Sequence, residues 1–67
     1  MKNKFKTFKE LIELSQNEKR GLTIYLSGQT IAGVVTKVIG TEAIEVRSQM
    51  FSKAVVLIDS IEALAIS

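Results

Sequence analysis

Two hydrophobic periods divide the chain. Phe8, Leu11 and Ile12 recur at helical spacing and share a face with Ser15. Thr7 followed three residues later by Glu10 is a capping-box pattern, Gln16-Asn17 weakens the helix, and Lys19-Arg20 suits its C-terminal end. The pattern predicts a helix over 7–16 that stops before Gly21 and is held by packing of Phe8, Leu11 and Ile12, because so short a helix is marginal alone in water. From Leu22 the period becomes two. Leu22, Ile24 and Leu26 alternate with Thr23, Tyr25 and Ser27, which describes a strand with one buried face. Ser27-Gly28-Gln29 makes a tight hairpin turn, and Thr30 to Ile39 is a long β-branched run interrupted by Gly33, where a bend or a close backbone approach is expected. Gly40-Thr41 turns the chain again. Further strands are predicted at 42–47, 53–58 and 61–66, separated by a loop over 48–52 and a tight Asp59-Ser60 connection. The fold class is therefore mainly β: an N-terminal α-helix, then a five-stranded, strongly bent antiparallel sheet over 22–66, in one domain spanning 1–67 with a basic tail over 1–6.

The length makes that domain hard to stabilise alone. A chain of 67 residues buries only about 60% of the surface its unfolded form exposes. It has no cysteine for disulfides and no Cys/His cluster for a structural metal, so oligomerisation is the remaining staple. The fourth strand points the same way. Its A-V-V-L-I run is apolar on both faces, and a flat hydrophobic edge without proline invites a defined strand partner. Two open edges meeting head to tail, repeated around a closing rotation, make a ring of identical subunits.

Charge and chemistry narrow the function. The net charge of +2 is uneven: residues 1–20 carry six of the nine Lys and Arg against three Glu, whereas the remainder has three cations and four carboxylates. That imbalance reads either as a solvated helix face or, in a ring, as a repeated rim for a polyanion. With neither histidine nor cysteine, the commonest general base and the strongest nucleophile are both missing, so an enzyme is not expected. Glu42 and Glu45 fall on opposite faces of a strand, and nothing near Asp59 and Glu62 completes an oxygen shell, so neither a metal nor any other cofactor is expected. The basic start leads into an amphipathic stretch without an apolar signal core, and no run approaches 18 apolar residues. A soluble chain with no membrane partner is expected, and the lack of cysteine fits the cytoplasm.

L-T-I-Y-L at 22–26 followed by Gly28, Ile31 and Gly33 resembles the first motif of the Sm-like proteins, the LSm and Hfq-like family, and V-L-I at 56–58 resembles the start of their second motif. The resemblance covers about residues 8 to 66. It implies an Sm-like barrel assembled as a ring of roughly five to seven copies, in which the fourth strand pairs with the neighbour's fifth. The interface residues it implies are Val55, Val56, Leu57, Ile58, Ile61 and Leu64. The implied ligand is single-stranded RNA, bound in the manner of an RNA chaperone; the alternative is a ring that serves assembly or protein interaction with little RNA binding. Tyr25 matches a first-strand tyrosine of the family's adenine-binding face, and Asn17 to Arg20 resembles its basic rim. Where Hfq-like proteins carry a stacking aromatic near the pore this chain has Glu42 beside Thr41, and where they carry a cation between the last two strands it has Asp59. A carboxylate there repels a phosphate backbone. The candidate RNA-binding residues are accordingly Tyr25, Lys19, Arg20 and Thr41, with A-rich strands expected to bind better than U-rich ones.

Overall fold

The computed structural model describes residues 4–67. A helix, α1 (Lys4–Glu18), precedes five strands, β1 (Leu22–Leu26), β2 (Gln29–Ile39), β3 (Ala43–Arg47), β4 (Ala54–Leu57) and β5 (Ile61–Ile66), with a single 3-10 turn at Ile58–Ser60 before the last. All strand pairs are antiparallel, and the sheet order is β4-β3-β2-β1-β5, an Sm-like topology. The sheet does not close. β4 and β5 form its two edges, so the barrel expected from the resemblance is left open within one chain.

α1 is longer at both ends than the 7–16 expected. Thr7 and Glu10 lie inside it and do not cap it, and residues 4–6 of the expected tail are helical, while residues 1–3 lie outside the described residues. Tertiary contacts extend the helix past its local signal. Phe5 joins Phe8 and Leu11 against the core, and Lys4 Nζ donates to the carbonyls of Asp59 at 2.8 Å and Ile61 at 3.3 Å. At the other end Lys19 takes a left-handed conformation, φ 56°, and Arg20 N–H donates to Ser15 O at 3.2 Å. That 6→1 bond is the mark of a Schellman stop, usually made with glycine and here with lysine. The fourth strand is shorter than expected, because Ile58 leaves it for the 3-10 turn.

β2 holds the fold together by changing partners. Up to Gly33 it pairs with β1, ending at the rung Leu22↔Gly33; from Val34 it pairs with β3, starting at Val34↔Arg47. A bulge at Thr36, between the rungs of Val35 and Lys37, bends it further. Gly33 sits where β3 crosses closest: a Cβ there would lie 2.6 Å from Arg47 O. The inner side chains of this bent sheet, Leu22, Ile24, Val35, Ile44, Val46, Val56, Ile58 and Ile61, enclose one core that α1 closes with Ile12. Each such side chain contributes about 1.5–3 kcal/mol on full burial.

Ser15 joins helix and sheet. It is fully buried, its Oγ donates to Arg20 O at 2.8 Å and accepts the Val35 N–H at 3.0 Å. Val35 lies two residues past the last β1 rung, so the hydroxyl takes a donor that β1 no longer reaches. Ser15→Ala would strand that buried N–H and is expected to cost about 1–3 kcal/mol, read as a lower urea midpoint at unchanged slope. A midpoint unmoved by the substitution would mean that water replaces the hydroxyl there.

Candidate functional site

The two turns expected to flank a shared site meet at one end of the sheet. Ile58 N–H donates to Glu42 O at 2.7 Å, and Glu42 N–H closes its own turn on Ile39 O at 3.2 Å. Thr41, Glu42 and Asp59 are all exposed there. Asp59 does not stand unaccompanied, because Lys4, from the far end of the sequence, is bonded to its backbone oxygen. An open cleft of about 570 Å³ begins at this turn, with Lys4, Gln29, Asp59 and Glu62 on its polar side and Val55 and Leu57 among its apolar residues. Sequence spacing gives no hint of Lys4 in this place, since the contact spans 55 positions along the chain.

Tyr25 lies one residue from the end of β1, between Thr30 of β2 and Ala63 of β5, with 43% of its surface exposed. Its rung partners Thr30 and Ala63 are both small and exposed. At the helix end the two predicted cations part company. Lys19 is exposed on the left-handed residue that ends α1. Arg20 is largely committed: Nε donates to Ser67 O at 2.9 Å, and Nη1 lies 3.5 Å from Glu18 Oε1. It ties the end of β5 to the helix, in the place where Ser67 N–H and Oγ also reach Gly21 O.

The six residues expected at a subunit interface separate in the same way. The side chains of Val56, Ile58 and Ile61 are buried in the chain's own core, and Leu64 is partly buried against it. Val55 and Leu57 are 56% and 58% exposed on β4, which makes them, with Ile39, an unpartnered apolar patch at the sheet edge. Ile39, Ala43 and Leu57 form one rung across β2, β3 and β4, so this patch is continuous. Among the described residues, no group of three or more Asp or Glu is placed to hold a metal ion, and no helix is long and apolar enough to cross a membrane.

Compared with known protein families, curated proteins and solved structures, the chain has no match.

Proposed function

We propose that this chain is an Sm-like subunit that assembles edge to edge, β4 of one copy on β5 of the next, into a cytoplasmic ring that binds single-stranded RNA. The observation that carries the reading is the pair of unpaired edges at opposite ends of one bent sheet, with Val55 and Leu57 exposed on one of them. An edge of this kind persists in a folded protein when another strand covers it. Head-to-tail use of the two edges on a small, strongly curved subunit favours closure into a ring. Tyr25 supplies a stacking platform repeated in every subunit, and Lys19 a cation near the helix end. Arg20 contributes less than its charge suggests, because its guanidinium already serves Ser67 and Glu18.

A binding series against salt tests this, with labelled A-rich and U-rich oligonucleotides. A-rich strands are expected to bind better, with affinity falling steeply as salt rises. Tyr25→Ala is expected to weaken binding by about 1–3 kcal/mol per engaged base. The second reading, a ring for assembly or protein interaction, draws support from the exposed carboxylates Glu42, Asp59 and Glu62, which disfavour a polyanion at that end. It predicts no RNA affinity even at low salt, and that result would displace the first reading.

A further inference from the structure

The charges of the sheet are segregated end to end. Glu42 and Asp59 lie at the end where the β2–β3 and β4–β5 turns meet, and Glu62 follows just inside β5. The opposite end of β3 and β4 is basic. Val46↔Ala54 is the last rung between these strands, and the residues immediately beyond it are Arg47 and Lys53. The turn between them, closed by Ser48 N–H donating to Phe51 O at 3.0 Å, contains Ser48, Gln49, Met50, Phe51 and Ser52 and no carboxylate. Both cations are exposed, and neither has an ion pair or side-chain hydrogen bond among the described residues. The nearest acid along β3, Glu45, is opposite Lys37 on the ladder, and among the described residues it forms no ion pair with Arg47. Like charges gathered at adjacent strand ends repel, and an anion between them relieves the repulsion.

The pair also continues the face that carries Tyr25. Cross-strand partners point to the same side of a sheet, and residues two apart on a strand share a face. Tyr25 is opposite Thr30; Thr30, Ala32 and Val34 follow one another on that face of β2; Val34 is opposite Arg47. Thr30 and Ala32 are small and exposed and Val34 is half-buried, so the roughly 13 Å of β2 from Thr30 to Val34 carries no exposed bulky side chain on this face. Resting on the RNA-binding reading above, we infer that Arg47 and Lys53 form a phosphate-anchoring site for single-stranded nucleic acid, and that the strand runs from Tyr25 across Thr30 and Ala32 to this tip. The β3–β4 tip thus adds a second basic site to the helix rim that the sequence alone pointed to. Arg47 suits the task, since a guanidinium presents a planar fork to phosphate oxygens.

The test uses the full chain, fluorescence anisotropy with an A-rich oligonucleotide, and a salt series. Arg47→Ala with Lys53→Ala is expected to flatten the slope of log affinity against log salt by about 1.4 for each pair engaged, and to weaken binding about 25-fold at 0.1 M salt. The charge-preserving swap Arg47→Lys with Lys53→Arg is expected to restore the slope. Lys53→Ala alone, at a position outside any strand, guards against a folding defect and is expected to remove about half of that slope change, about 0.7. If the wild type binds with a steep salt slope and none of these substitutions alters it, the tip is not the anchor, while RNA binding itself stands. If the wild type binds no oligonucleotide at low salt, the anchor and the reading it rests on are overturned together.

Discussion

Gly33→Ala is expected to remove much of the stability of this protein. The added Cβ would meet the Arg47 carbonyl oxygen at 2.6 Å and its carbon at 3.2 Å, and both are backbone atoms that no rotamer change can move aside. Relief requires β2 and β3 to separate at the point where β2 transfers from Leu22↔Gly33 to Val34↔Arg47, and the bend of the whole sheet depends on that transfer. Forcing atoms into a packed interior costs about 1–3 kcal/mol, occasionally more. A single core in a chain of this size supplies no more than about 3–5 kcal/mol. Gly21→Ala is the internal comparison, since its nearest neighbour, Ser67 Oγ at 3.2 Å, belongs to an exposed side chain that can rotate away. Urea unfolding at matched protein concentration should show a large drop in midpoint for Gly33→Ala and a small one for Gly21→Ala. Equal midpoints for the two variants would mean that the close approach at Gly33 is not what requires glycine.

Val55→Lys with Leu57→Lys is expected to abolish assembly while leaving the subunit's own core intact. Both side chains are more than half exposed in the isolated chain, so their replacement does not open the core around Ile44, Val56 and Ile58. Charge on an exposed edge strand is a standard device against strand addition. The variant should sediment as a species of 7.4 kDa, the mass of one chain, and lose the concentration dependence of its thermal midpoint. An assembly that survives the double substitution would exclude the β4 edge as the contact. The buried residue of β4, Val56, makes a poor probe here, since its loss would damage the core and the edge together.

Much of the fold was legible along the chain, and the reasons are local. The switch from helical to two-residue period at Leu22, the glycine-bearing turns, and the alternation of Leu22 and Ile24 with Thr23 and Tyr25 placed the helix and strands in order. Gly33 announced a bend or close approach, and the structure has both. The limits of α1 were misjudged because Thr7 and Glu10 imitate a cap, whereas the real helix continues to residues whose contacts lie more than 50 positions away, as Lys4 does with Asp59 and Ile61. Charge counting showed that the first 20 residues are the more basic, but it could not show that Arg20 would be committed to Ser67 O. Nor could it show that Arg47 and Lys53, separated by a turn, would both follow the last rung between β3 and β4. Both follow from register and turn geometry, which a one-dimensional charge pattern does not encode. Ser15, read as one position on a helix face, became the buried hydroxyl that accepts the Val35 N–H, and its serine identity gave only the chance of such a bond.

The native mass of the wild-type protein at micromolar concentration tests whether the β4 and β5 edges are completed by neighbouring copies in a closed ring. One discrete species with a mass of roughly five to seven chains is expected, as closed point-group symmetry requires. A monomer of 7.4 kDa that unfolds cooperatively, with a midpoint independent of concentration, would contradict it.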